Sequence, residues 1–193
     1  MFQVRLHGRG GQGAVTSAEL LSVAAFNEGK HAQAFPSFGW ERMGAPVMAF
    51  CRIDDKPIRT REPVGHPDAL IIQDPTLLHQ VEVFSGLLPG SFMLINTPGG
   101  FEDLGLDDYI RAMRRDRLLV VPATQMALEH LGRPLPGAAL LGGFAALTGQ
   151  VRVESVIAAV NERFSGKAAD GNAAAAREAF EFVKAEREAL ADA

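Results

Sequence analysis

A short apolar run that ends in a glycine-rich turn and restarts as a helix constrains this chain more than any other feature. Residues 2–7 place Phe2, Val4 and Leu6 at alternate positions, the period of a strand. The turn Gly8-Arg9-Gly10-Gly11-Gln12-Gly13 follows. A helix-type pattern then runs through Ala14, Ala18, Leu21 and Ala25 and stops at Gly29. Strand, tight turn and helix in this order are the opening unit of an α/β domain. Glycine in such a turn tolerates positive φ and lets another group approach the backbone. Free N–H groups and the positive end of the helix favour an anion such as a diphosphate. Gly8, Gly10, Gly11, Gln12 and Gly13 are therefore the candidate phosphate contacts.

The rest of the chain continues the alternation. Residues 31–35, 47–53, 69–73, 91–96 and 118–121 read as strands. The run 69–73 is continuously apolar up to Gln73, like a strand buried on both faces. Asp54-Asp55-Lys56-Pro57 looks like a hairpin turn leading to Ile58, and Asp74-Pro75 starts a turn or helix. Helices are expected over residues 14–28, 107–116, 124–131, 138–148, 153–164 and 172–190. The sum is a three-layer, Rossmann-like α/β fold. Its sheet is mostly parallel with helices on both faces, its last third is helical, and residues 1–193 form a single domain.

Two helices carry further information. Residues 138–148 are apolar nearly all round (Leu140, Leu141, Phe144, Ala145, Leu147), so this helix must be buried. Either it is a central core helix or a second subunit covers part of it. Residues 172–190 instead show one apolar stripe, Ala176, Phe180 and Val183, as an ordinary amphipathic helix does. Arg111, Arg114, Arg115 and Arg117 fit a solvated helix end.

Composition excludes several classes. With 19 basic against 23 acidic residues, the chain lacks the basic face that a nucleic-acid binder needs. The same balance gives no polybasic membrane anchor, and residues 138–147 are too short to span a bilayer. The one cysteine, Cys51, can neither form an internal disulfide nor hold an iron–sulfur cluster alone. The N-terminus enters directly on a strand without a secretory leader, so a cytoplasmic location is the expectation.

The glycine turn has the form of a dinucleotide fingerprint, but the acid expected on the ribose is missing. The second strand ends in Phe35-Pro36-Ser37, and the nearest acid is Glu41 in a loop. No Lys-Ser/Thr follows the glycines, so this is not a nucleotide P-loop. The five histidines are never three or four residues apart and offer no local metal site. The loop of residues 35–46 carries Phe38, Trp40, Glu41 and Arg42, the candidate partner interface. The loop can equally fold back on its own domain. A buried, inert Cys51 fits its apolar strand.

Three blocks together resemble one family. They are Gly8-Arg9-Gly10-Gly11-Gln12-Gly13 with Ala18 and Leu21, then Pro36-Ser37-Phe38-Gly39-Trp40-Glu41-Arg42-Met43-Gly44, then Thr124 to Ala127 with Leu140-Leu141-Gly142 and Thr148-Gly149. In this order they resemble the γ subunit of 2-oxoacid:acceptor oxidoreductases. The resemblance implies a subunit inactive alone, with no cofactor of its own. Its partners would be α, β and ferredoxin-like δ subunits. The complex would use thiamine diphosphate, Mg and [4Fe-4S] clusters, and usually coenzyme A. It would decarboxylate a 2-oxoacid and pass electrons to ferredoxin or an NAD-linked acceptor. A coenzyme phosphate would suit the glycine turn, and no catalytic residue is assigned to this chain. A stand-alone NAD(P)-binding oxidoreductase and a non-catalytic interaction module are the alternatives.

Overall fold

The computed structural model describes residues 1–37 and 43–191. Six strands form one sheet: β1 (Phe2–Arg9), β2 (His31–Pro36), β3 (Pro46–Asp54), β4 (Ala69–Ile72), β5 (Phe92–Asn96) and β6 (Leu118–Val121). Their spatial order is β2-β3-β1-β4-β5-β6. The pairs β1–β4, β4–β5 and β5–β6 are parallel, while β3 runs antiparallel to both β1 and β2. Five strands therefore share one direction and β3 alone opposes them.

Among the described residues six α-helices complete the fold: α1 (Ala14–Asn27), α2 (Asp107–Arg111), α3 (Ala123–Leu131), α4 (Gly137–Thr148), α5 (Val153–Arg163) and α6 (Gly166–Ala191). The five longer ones cover one face. There Val4, Leu6, Ile71, Leu94 and Leu119 of the sheet meet Leu21, Leu141, Phe144, Val156 and Val183 of the helices. The short α2 and the 3₁₀ turns Pro75–His79 and Glu102–Leu104 cover the other face over β4, β5 and β6. Leu70, Ile72, Met93 and Ile95 pack there on Leu77, Phe101 and Leu106. The continuous apolar run of β4 thus feeds two cores, as a strand covered on both faces must.

Several local readings change. Gly8 belongs to β1, paired opposite Val47, so the turn proper is Gly10 to Gly13. No hairpin strand forms at Ile58, where one was expected after the turn at Asp54. The antiparallel partner of β3 is β2, which precedes it, and residues 55–68 return without regular structure. The helix expected over residues 107–116 stops at Arg111, and a 3₁₀ turn, Arg115–Arg117, leads into β6. Arg114 pairs with Asp116, and the guanidinium groups of Arg115 and Arg117 lie over the rings of Phe101 and Phe92. Among the described residues, no helix is long and apolar enough to cross a membrane.

Helix α4 settles its own question. Every residue from Gly137 to Leu147 is buried within this chain, so it is the central core helix. Burying Leu141 and Phe144 in this way is worth roughly 1.5–3 kcal/mol each. Gly142 lets the backbone of α4 lie directly on α6, since a Cβ there would land on the carbonyl of Ala176. At Gly143 the close contacts of a Cβ would be side chains, Leu94 Cδ2 and Val183 Cγ2, both at 3.2 Å, with the Ala179 carbonyl at an ordinary 3.9 Å.

The two glycines should therefore respond differently. Gly142→Ala is expected to destabilise the chain by about 1–3 kcal/mol or more, because backbone cannot move aside. Gly143→Ala should be near neutral, since the side chains can shift and helix propensity returns up to about 1 kcal/mol. Urea unfolding of the two variants measures the difference.

Candidate functional site

The parallel strands end on one edge of the sheet, and the glycine turn lies there. Gly11 and Gly13 have φ of 91° and 79°, conformations that suit glycine. Gly10 donates its N–H to Ala45 O at 2.9 Å and accepts from Gly44 N–H at 3.0 Å. The first two sequence blocks, which start at Gly8 and Pro36, thus meet backbone to backbone at Gly10.

Arg9 and Asp74 hold this junction. Arg9 Nε donates to Asp74 Oδ2 at 3.0 Å, Nη1 to Gly44 O at 3.0 Å, and Nη2 to Thr76 Oγ1 at 2.6 Å and Gln80 Oε1 at 2.9 Å. Gln12 joins the same two residues. Its Oε1 accepts from Arg9 N–H and its Nε2 donates to Asp74 Oδ2, both at 2.8 Å. Burial works against ionisation of Asp74. The hydrogen bonds from Thr76 and Gln12 and the charge of Arg9 outweigh it and hold the carboxyl below the ordinary carboxylate range.

A second network sits beneath the turn. Gln73 Nε2 donates to Ser17 Oγ at 2.9 Å, and that hydroxyl donates to Gly13 O at 3.0 Å. Asn96 Nδ2 donates to Gln73 O and Thr124 Oγ1 at 2.7 and 2.8 Å. Gly8 is glycine because a Cβ would collide with Gln73 Oε1, and at Gly137 a Cβ would collide with Ser17 Oγ. Both serve packing.

Above the turn opens a cavity of about 530 Å³. Gly11, Gln12, Gly13, Thr16 and Ser17 form one wall, Gly137 with Leu135 another, and Lys167 with Ala168 a third. The first turns of α1, α4 and α6 therefore converge on one space. None of the three carries an acidic residue in its first turn. No side chain caps α1, and the N–H groups of Gly13, Ala14, Val15 and Thr16 have no acceptor among the described residues. Arg133, Arg163 and Lys167 line the same cavity, and none is ion-paired among the described residues. His130 at the rim pairs with Glu178 at 2.5 Å. Such a space stabilises negative charge.

Of the residues expected from sequence, Gly11, Gln12 and Gly13 line the cavity and Gly8 and Gly10 do not. Phe38, Trp40, Glu41 and Arg42 lie outside the described residues. Thr16, Ser17, Arg133, Arg163, Lys167 and Asn172 line it without having been singled out. The break Gly132-Arg133-Pro134 was a visible signal, but nothing in the spacing joins it to Gly13. The dinucleotide reading meets an obstacle in the topology. The strand beside β1 on the ribose side is the antiparallel β3, so Pro46, not the end of β2, pairs with the end of β1.

Elsewhere, a cavity of about 490 Å³ on the opposite face of β1 and β3 contains Arg5 and His7. Arg5 donates to the carbonyls of Val64, Val83 and Ser85 and stitches the loops there to β1. Burial and the neighbouring Arg5 charge push His7 down to about 4, so it is neutral at ordinary pH. Cys51 is fully buried, and burial drives its thiol pKa far up. No group of three or more metal-ligating side chains occurs among the described residues.

The family model for pyruvate ferredoxin/flavodoxin oxidoreductase matches residues 3–182. The pyruvate synthase subunit PorC of Methanothermobacter marburgensis is 48% identical over 184 residues, 95% of this chain and 98% of that protein. The pyruvate/ketoisovalerate oxidoreductases common subunit gamma of Pyrococcus abyssi is 49% identical over 181 residues, 94% of this chain and 96% of that protein. The crystal structure of pyruvate oxidoreductase subunit PORC from Thermotoga maritima superposes with a TM-score of 0.77 at 34% identity, covering 93% of this chain and 95% of that one.

Replacing Asp74 by Asn should loosen the glycine turn and cost about 1–2 kcal/mol at neutral pH. The fold favours the ionised carboxyl, so this contribution is present above about pH 4 and is lost as pH falls through the lowered native pKa. Parent and Asp74→Asn should therefore converge in acid, as urea unfolding across a pH series will measure.

Proposed function

Because this chain belongs to the pyruvate ferredoxin/flavodoxin oxidoreductase family, we propose that it works as the γ subunit of a multi-subunit 2-oxoacid:acceptor oxidoreductase, as one domain of residues 1–193. The reading rests on one observation above all. PorC and a common gamma subunit match this chain at 48% and 49% identity over 95% and 94% of its length, and over 98% and 96% of their own.

Its partners in this reading are α and β subunits that carry thiamine diphosphate with Mg, and a ferredoxin-like δ subunit that carries [4Fe-4S] clusters. The complex decarboxylates a 2-oxoacid and delivers electrons to ferredoxin or an NAD-linked acceptor. The donor set of the chain agrees: one cysteine, buried, cannot supply the four thiolates of a cluster. Coenzyme A, when bound, supplies the thiol that takes the acyl group. The residues here that fit its phosphates are Gly11, Gln12 and Gly13 through their backbone, with the uncapped start of α1 behind them. Phe38, Trp40, Glu41 and Arg42 are the proposed partner contacts. The stand-alone nicotinamide reading is not favoured, given the strand order beside the glycine turn.

The expected behaviour is clear-cut. The chain alone shows no 2-oxoacid-dependent reduction of a viologen dye. Purified from its source, it appears in native mass spectrometry within a brown heteromeric complex that has this activity. A monomer only, or full activity from the isolated chain, would sink the proposal.

A further inference from the structure

Two buried side chains of β1 have donors that the fold leaves unused. The five longer helices pack on Val4 and Leu6, so Arg5 and His7 face the other way. There they lie opposite Phe50 and Met48 of β3. Arg5 is 4% exposed and His7 5%. Arg5 Nε and His7 Nε2 are enclosed, yet neither has a hydrogen-bond partner among the described residues. Native interiors seldom leave such groups unmet, so each one calls for an explanation.

Arg5 also carries a charge that no counter-ion answers. Its Nη1 and Nη2 donate to the carbonyls of Val64, Val83 and Ser85, which are dipoles and not ions. No ion pair among the described residues includes it. A buried charge in that position is costly until an anion joins it. His7 is neutral, so its Nε2 can donate to an acceptor without adding a second charge.

Both side chains line the cavity of about 490 Å³ on this face, a volume within the range of small-molecule sites. Met48, Phe50, Pro63, Val64 and Val81 give the cavity an apolar body. The exposed Glu82 also lines it. One cation favours one carboxylate, and Glu82 disfavours a second. A phosphate would bring more negative charge than Arg5 balances and would leave the apolar lining unused.

We propose that this cavity binds a small monocarboxylate with a branched or aromatic body, its carboxylate accepting from Arg5 and His7 and its body lying against Met48, Phe50 and Val81. Because both donors are enclosed, a lining side chain shifts as the ligand enters. The flexible Met48 opposite His7 is suited to do so. The site is on the other side of the sheet from the long helices and does not depend on the coenzyme reading of the glycine turn.

Calorimetric titration of the full chain, alone and in the assembled complex, tests this. The probes are phenylacetate, 4-methylpentanoate, phenylacetamide, acetate and succinate. The first two should bind at least about tenfold more tightly than the other three, the scale of a lost charge-assisted hydrogen bond or a lost apolar contact. Arg5→Met should abolish binding, but it also removes the loop contacts, so its melting temperature is recorded alongside. His7→Leu loses no hydrogen bond from Nε2 and should fold, and it should weaken phenylacetate roughly tenfold. Met48→Trp should fill the cavity and remove one binding site per copy of the chain, in the chain and in the complex. Equal binding of phenylacetate and phenylacetamide overturns the carboxylate assignment. Binding unchanged in both His7→Leu and Met48→Trp, or no binding to chain or complex, overturns the site. Binding by the chain alone that disappears on assembly also overturns it, because the cavity then belongs to a subunit interface. A complex that assembles and is active yet binds neither carboxylate here defeats this inference and leaves the subunit role standing.

Discussion

Helix α4 has no polar face, and a helix of that kind is stable only if other elements surround it. Here α1, α5 and α6 pack around it and the sheet closes the remaining side. Gly142 brings α6 close enough for backbone to rest on backbone. This burial requirement fixes where the helices begin as well as where they pack. Once α1, α4 and α6 are drawn together, their N-terminal ends come together above the glycine turn. The electropositive cavity is therefore a by-product of how the core is filled, and the cations at the α3–α4 and α5–α6 junctions sharpen it.

The turn itself needs more than glycine. Backbone freedom at Gly11 and Gly13 permits the conformation, but Arg9, Gln12 and Asp74 hold it in place. A single guanidinium reaches Asp74, Thr76, Gln80 and Gly44. It joins the end of β1, the segment before β3 and the 3₁₀ turn after β4. The ion pair is mostly buried, so it is screened less than a surface pair would be. Its value lies in positioning, because the turn and the start of α1 line the cavity together only while the turn holds its shape. For a γ subunit within a larger assembly, a pre-shaped edge of this kind lowers the ordering cost of meeting a coenzyme or a neighbouring chain.

Much of the fold could be read from residue patterns. The period-2 run of β1, the continuous apolar run of β4 and the helical periods of α1 and α6 each arise from local side-chain geometry that repeats in the chain. The reading failed where the outcome depended on which strand pairs with which. Insertion of β3 between β1 and β2 is a long-range choice, and it displaced both the hairpin expected after Asp54 and the ribose position of a dinucleotide fold. Gly8 was legible as a glycine but not as a strand residue, because its reason is the side chain of Gln73, just past the end of β4, lying against it.

The sequence by itself determined an α/β chain, a buried central helix, a glycine turn able to receive an anion, and a single thiol unable to hold a cluster. Each follows from composition or from spacing within one segment. Only the tertiary structure decided that Gln12 faces Asp74 and not a ligand, that Gly10 meets Ala45, and that Arg133, Arg163 and Lys167 share a cavity with Gly13. Those are contacts between segments far apart in the chain. Their positions are set by the packing around α4 and the strand order of the sheet, and no local pattern in the sequence encodes either.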